Sequence, residues 1–194
     1  MDSIKYNLPN ADITYYPDFI KQIEADVYFN KLRDTIPWQQ DFIKLYGKTH
    51  AQPRLTALFA VNKKTYTYSN ITMTPHPFSK DLIALKTQIE TLAKIQFTTC
   101  LLNLYRNGKD SNGWHADDEK ELGKNPVIAS LSLGQERMFH LRNKSNKDLK
   151  QKIVLQHGSL LLMKGETQHF WQHQIPKTTR LIKERINLTF RVIL

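Results

Sequence analysis

The sequence is short of cysteine, of acidic residues and of long apolar runs, and each shortage removes a class of protein. One cysteine, Cys100, stands in 194 residues. It excludes an internal disulfide framework, suits a reducing compartment, and leaves no set of thiols for an iron–sulfur cluster or a Cys-rich zinc site. No apolar run approaches the ~20 residues of a membrane helix. Met1-Asp2-Ser3-Ile4-Lys5 lacks the apolar stretch of a signal peptide. A cytoplasmic or nuclear protein, neither secreted nor membrane-bound, is expected. The 18 acids are outnumbered by 28 Lys and Arg, for a formal net charge of +10 and a pI near 9.6. That excess suits a polyanionic partner, because each neutralised phosphate releases counterions. A basic surface with no such partner fits the charge equally well.

What is present begins with enough apolar material, 40%, for one core and one domain. There is no internal repeat and no long linker. Residues 17–34 carry apolar groups at Phe19, Ile20, Ile23, Val27 and Leu32, roughly at helical spacing, with Pro37 just beyond. Residues 79–94 repeat the pattern with Leu82, Ile83, Leu85, Ile89 and Leu92, and Ser79 is placed to cap them. From Gln96 onward, short runs of Leu, Val, Ile, Thr and aromatics alternate with turn residues. The spacing predicts strands at 97–105, 126–133, 137–142, 152–156, 159–163, 168–174 and 185–193. Strands so regularly placed, after helices rather than between them, predict an α+β protein. The expected core is a double-stranded β-helix, or jelly roll, with bracing N-terminal helices. One monomeric domain is expected over 1–194, with a helical brace over about 1–95 and a jelly-roll core over about 96–194. Between Arg142 and Lys152 five basic residues face one acid, Asp148, which predicts an exposed loop or hairpin end.

In Trp114-His115-Ala116-Asp117, residues i and i+2 of a strand share a face, so His115 and Asp117 can serve one ion. With 7 His and 18 acids, chance supplies roughly 0.65 such pairs, so the pair needs context. His173 provides it. Two imidazoles and a carboxylate suit iron(II) with open positions left for other ligands, although zinc accepts the same set. His169 is a rival third ligand; His50, His76, His140 and His157 read as turn or surface residues. Arg185-Ile186-Asn187-Leu188-Thr189-Phe190-Arg191 alternates strictly, placing Arg185, Asn187, Thr189 and Arg191 on one face. Two guanidinium groups turned inward need anions. A bound dicarboxylate would supply them, since Arg binds carboxylates bidentately; so would core-edge Asp or Glu. Asn103 and Tyr105 share a strand face and can add hydrogen bonds.

Several segments resemble, in order, the AlkB family of iron(II)/2-oxoglutarate-dependent nucleic-acid dealkylating dioxygenases, most like the eukaryotic-type DNA repair branch. They include Gln52-Pro53-Arg54, Tyr66-Thr67-Tyr68-Ser69, Asn103-Leu104-Tyr105-Arg106-Asn107 and Gly113-Trp114-His115-Ala116-Asp117-Asp118-Glu119. Ile128-Ala129-Ser130-Leu131-Ser132-Leu133-Gly134, His157-Gly158-Ser159-Leu160, Trp171-Gln172-His173 and residues 185–191 continue the series. The resemblance implies that His115, Asp117 and His173 bind Fe(II). It implies that Arg185 holds the distal carboxylate of the co-substrate 2-oxoglutarate, assisted by Tyr105 and Asn187, with Arg191 and Asn103 near the keto-acid end. With dioxygen, such enzymes hydroxylate the N-methyl group of 1-methyladenine or 3-methylcytosine in DNA. The products are formaldehyde, succinate and carbon dioxide. The target base is flipped into the pocket. Tyr68 matches an aromatic that stacks on it, Tyr66 is placed to touch base or backbone, and Asp118 and Glu119 match an acidic pair able to accept from an exocyclic amine. Arg54 and Tyr46 match DNA contacts, so the resemblance implies a nucleic-acid-recognition region within about 1–95 and a catalytic core over about 96–194. Leu45-Tyr46-Gly47-Lys48 is similar to a hairpin that wedges the base stack, with Tyr46 where a less polar aromatic would match better.

Two other readings compete. The same chemistry on RNA or tRNA needs only a different grip on the backbone. A non-catalytic nucleic-acid-binding module with a vestigial iron site would have had no reason to keep the whole ligand set and both Arg residues. A protein or small-molecule hydroxylase fits the basic charge poorly.

Overall fold

Strict alternation along the last strand sets the layering of the molecule. The computed structural model describes residues 1–45, 47–62, 66–68 and 71–193, with backbone only at 44, 45, 66–68, 71 and 72. In chain order the elements are β1 (Ile4–Tyr6), β2 (Asp12–Tyr16), α1 (Gln22–Thr35), β3 (Phe42–Leu45), β4 (Lys48–Ala51), β5 (Leu55–Ala60), β6 (Tyr66–Tyr68), β7 (Ile71–Met73), β8 (His76–Pro77) and α2 (Lys80–Ala93). There follow β9 (Thr99–Tyr105), β10 (Asn112–His115), β11 (Ile128–Gly134), β12 (Arg137–Asn143), β13 (Lys150–Leu155), β14 (Leu160–Lys164), α3 (Thr167–Phe170), β15 (Trp171–Ile175) and β16 (Arg185–Arg191).

Two sheets face each other. The large one has the order β1-β2-β14-β11-β16-β9-β5-β8 and the small one β10-β15-β12-β13. This is the expected jelly roll. All seven residues of β16 are buried because both faces of the large sheet are covered. Ile186, Leu188 and Phe190 join Cys100, Leu102 and Leu104 of β9 in the core beneath the helices. The opposite faces of β9 and β16 look across at the small sheet. There Phe139, Leu141, Ile153, Trp171 and Ile175 build a second core with Tyr105, Ile128 and Met163.

Helix α2 forms as its pattern predicts. Ser79 Oγ accepts the N–H of Leu82 at 3.3 Å, Leu82, Leu85, Ile89 and Ala93 are its buried stripe, and Lys94 ends it in the left-handed conformation. Helix α1 differs from expectation. It begins at Gln22 and buries only Ala25 and Leu32, while Ile23 and Val27 are 83% and 61% exposed. Phe19 and Ile20 are buried but precede the helix. They are held where the Ile20 N–H donates to Gly158 O at 2.9 Å. Gly158 has φ +76, and a Cβ there would lie 2.3 Å from Ile20 O, so this turn admits no side chain.

Two further expectations need correction. Residues 1–95 are not only a helical brace: among the described residues they hold eight strands, of which β1, β2, β5 and β8 extend the large sheet. The span 168–174 is not one strand, because α3 occupies its first residues before β15 starts at Trp171.

Candidate active site

His115 ends β10 and His173 lies in β15, directly opposite it in register. Asp117 is not in the strand with His115, contrary to the i, i+2 argument; it follows in the loop after β10. Two contacts hold that loop. The Asp117 N–H donates to Gln168 Oε1 of α3 at 2.9 Å, and Arg191 donates to Asp117 Oδ1 at 2.5 Å. One ligand atom from each of His115, Asp117 and His173 lies within 4.8 Å of the others. Asp117 and His173 are buried and His115 is half-buried. His169 is exposed on the far side of α3, 2.9 Å from Asn125 Oδ1, so it is no rival.

The electrostatics suit a divalent ion. Burial holds both imidazoles below the ordinary histidine value, against the pull of Asp117; for His173, with His115 beside it, the value falls to about 3. Neutral imidazoles keep their lone pairs for a metal. His115 Nδ1 lies 2.8 Å from Gly113 O and so carries the proton, leaving Nε2 as the ligand atom. Burial alone would raise Asp117, but Arg191 and the two imidazoles keep it below the ordinary carboxylate value. Phe139 stacks on His173 at 5.1 Å.

Asn103, Tyr105, Arg185, Asn187 and Arg191 converge on a cavity, partly open to solvent, that also exposes the three candidate ligands. The two guanidinium groups differ. Arg191 pairs with Asp117, one of the protein's own acids. Arg185 has no acidic partner among the described residues: one nitrogen donates to Ser132 Oγ at 2.9 Å, while Nε and Nη1 are buried without a partner. Tyr105 lies beside it, ring centre 5.2 Å from the guanidinium carbon. Burial, and Arg137 nearby, lower Arg185 to about 10 despite Tyr105. Such a cation wants an anion with two oxygens, and a carboxylate fits the two idle donors.

The remaining predicted residues are placed less uniformly. Asn187 spends its amide on Ser130 Oγ at 2.7 Å and Leu131 O at 3.2 Å. Asn103 accepts from Arg54 at 2.8 Å. Arg54 is 5% exposed and lines the cavity. Asp118 pairs with Lys144 at 2.7 Å. Glu119 keeps one buried carboxylate oxygen unpartnered, and burial raises its pKa against the effect of Arg191. Tyr66 and Tyr68 form β6, paired with β7, but their side chains lie outside the described residues. So does Tyr46, between the paired strands β3 and β4. Gln168, Ser132 and Arg137 went unread in the sequence. The alternation of Ser130 and Ser132 within β11 was a usable signal for one of them. A Gln in a four-residue helix carries none.

A jelly roll with two histidines, one carboxylate and an idle buried arginine between its sheets defines the class of oxygenases that bind iron(II) at an open site. Comparison with known proteins agrees. Residues 12–191 match the family described as 2OG-Fe(II) oxygenase superfamily. The chain is 46% identical over 186 residues to alpha-ketoglutarate-dependent dioxygenase alkB homolog 3 of Bos taurus, covering 91% of this chain and 64% of that protein. It is 33% identical over 189 residues to DNA oxidative demethylase ALKBH2 of Mus musculus, covering 92% and 79%. The solved structure of OsALKBH1 superposes with a TM-score of 0.68 at 16% identity, covering 96% of this chain and 100% of that one; it bears on the fold alone. The chain belongs to the 2OG-Fe(II) oxygenase superfamily and, within it, to the AlkB family. It spans 64–66% of the length of the alkB homolog 3 proteins it matches.

Proposed function

We propose that this chain removes N-linked methyl groups from 1-methyladenine and 3-methylcytosine in DNA, with 2-oxoglutarate as co-substrate. The observation that carries the reading is one cavity holding both the His115, Asp117, His173 group and Arg185 with two idle donors. The names of the relatives, which include DNA oxidative demethylase, and the net charge of +10 support nucleic acid as the substrate. His115, Asp117 and His173 would hold iron(II), and Arg185, steadied by Ser132 and Tyr105, would hold the distal carboxylate of 2-oxoglutarate. When bound with dioxygen, these groups supply the oxidation that turns an N-methyl into an N-hydroxymethyl, which parts into formaldehyde and the intact base, while 2-oxoglutarate leaves as succinate and carbon dioxide.

The protein's own part is binding and exclusion. Arg191 balances Asp117 so that the carboxylate stays charged in a buried place. Phe139 covers one face of His173 and keeps water from it. Glu119, with an unpartnered oxygen, is suited to accept from the exocyclic amine that adenine and cytosine share. The test is formaldehyde release from methylated single-stranded DNA, duplex DNA and RNA, measured side by side with succinate. Equal formaldehyde and succinate from DNA is expected. A greater yield from RNA would move the substrate class. No formaldehyde from any strand would end the dealkylase reading.

A further inference from the structure

The small sheet has one face in the inter-sheet core and the other bare. On the bare face the outward residues of β12 are Met138, His140 and Arg142, and those of β13 are Lys150, Lys152 and Val154. The register sets Arg142 opposite Lys150 and His140 opposite Lys152. Like charges placed directly opposite each other, as Arg142 and Lys150 are, destabilise a strand pair. Neither lysine forms an ion pair among the described residues. The acids nearest in sequence, Glu136 and Asp148, lie in the turns that bound these strands. Burial, helped by Lys152, lowers the pKa of His140, and Glu136 lines the same outer pocket as His140 and Lys152.

The face is ordered as well as charged. The Arg142 guanidinium sits 4.0 Å above the Trp114 ring and donates to Gln172 Oε1 at 3.2 Å, so it is fixed rather than swinging in solvent. Trp114 and Gln172 flank the candidate ligands His115 and His173 on the same two strands. The tip of the β12–β13 hairpin is tied to the metal loop, where Lys144 pairs with Asp118 at 2.7 Å. Cations two residues apart on a strand repeat at about 6.6 Å, which suits successive phosphates of an extended strand.

We propose that this outer face, centred on His140, Arg142, Lys150 and Lys152, is a track for the phosphodiester backbone of a single nucleic-acid strand continuing from the base in the cavity. The track rests on the dealkylase reading for its substrate, and it adds a second, base-independent grip to it. A charged strip beside a ring that already carries a guanidinium is the arrangement by which proteins hold single strands without reading sequence.

The experiment measures binding of fluorescent, unmodified single-stranded oligodeoxynucleotides of about 4 and about 16 nucleotides across a salt series. The variants are Lys150→Gln/Lys152→Gln, its rescue Lys150→Arg/Lys152→Arg, and a charge-matched control at the two ends of α2, Lys80→Gln/Lys94→Gln. For the long strand, the first variant should bind about tenfold more weakly at about 0.15 M salt. Its plot of log affinity against log salt should be shallower by about 1.4, the loss of two phosphate contacts. The arginine variant should match wild type, and the control should move less than the first variant. If the control and Lys150→Gln/Lys152→Gln lose affinity equally, net charge and not this face is responsible and the track is overturned. Unchanged long-strand affinity in Lys150→Gln/Lys152→Gln overturns it too. Formaldehyde release from a methylated strand of about 4 nucleotides reports separately on the dealkylase reading, which stands or falls whatever the binding series gives.

Discussion

The two sheets divide the site between them. The small sheet brings the imidazoles, from β10 and β15, while the large sheet brings the side chains proposed to hold the co-substrate, from β9 and β16. They also differ in cover. Helices close the outer face of the large sheet, so its strands are apolar on one face and carry buried polar groups on the other. The outer face of the small sheet meets solvent, and it carries lysine, arginine, glutamine and histidine beside the exposed Met138 and Val154. A sheet buried on both sides can hold a guanidinium without a counter-ion only where something else will supply one. A sheet open on one side can carry unpaired cations at little cost.

That division can be broken by lesions confined to one sheet. The largest effect belongs to the small sheet. His173→Ala should lower 2-oxoglutarate turnover by at least about a thousandfold, several kcal/mol in the barrier. It should also weaken cobalt(II) binding followed by visible absorption, whereas exposed His169→Ala leaves both intact. A dead His169→Ala with a live His173→Ala would reverse the ligand assignment. Next comes packing. Phe190→Ala, beneath the helices, should cost about 3–5 kcal/mol in urea unfolding. Val154→Ala, 39% exposed on the small sheet, should cost under about 0.5 kcal/mol. Similar costs would mean that the bare face is covered in solution.

A lesion in the large sheet should touch the co-substrate and spare the metal. Arg185→Lys keeps the charge and loses the planar fork. The 2-oxoglutarate concentration for half-maximal turnover should rise on the order of tenfold or more, with cobalt(II) binding unchanged. A parallel fall in metal affinity would show that the sheets do not act separately. The smallest effect lies where the sheets are joined. Asp110, between β9 and β10, accepts from Arg106 at 2.7 and 3.0 Å, and its backbone oxygen accepts from Arg137 of the small sheet at 2.9 Å. Burial pushes its pKa up, but the Arg106 hydrogen bonds win and hold it below 3.8. The stability it contributes is therefore present above that value and is lost as pH falls through its lowered one. Asp110→Asn should cost about 1–2 kcal/mol at neutral pH and lose less stability than wild type between neutral pH and about pH 3. Identical acid sensitivity in the two proteins would remove Asp110 as the cause.

Much of this was legible wherever one short-range rule acts alone. The alternation of residues 185–191 sorted both faces of β16 correctly, because a strand buried on both sides must still send successive side chains opposite ways. Ser79 and the apolar stripe of α2 read as cleanly. His115, Asp117 and His173 were named, but for a partly mistaken reason: Asp117 arrives through a loop held by Gln168 and Arg191, from 51 and 74 residues away. Long-range contacts of that kind leave no local pattern, and the pairing of Arg54 with Asn103, 49 residues away, went unread for the same reason. The first strands were missed because runs of three and five residues show too few positions to separate a strand from a turn. In α1, the apolar residues that suggested the helix are partly those it exposes.

The position of β16 has a consequence in time. It is the last of the described strands and yet it lies between β9 and β11, in the middle of the large sheet. Translation at about 5–20 residues per second leaves its two neighbours facing an empty slot for seconds, with their ladder edges unsatisfied and Asp117 without its arginine. The chain can close its sheet only after residue 191 has been added. Any nascent chain that stalls earlier presents two open edges, the condition under which strands pair with the wrong partner.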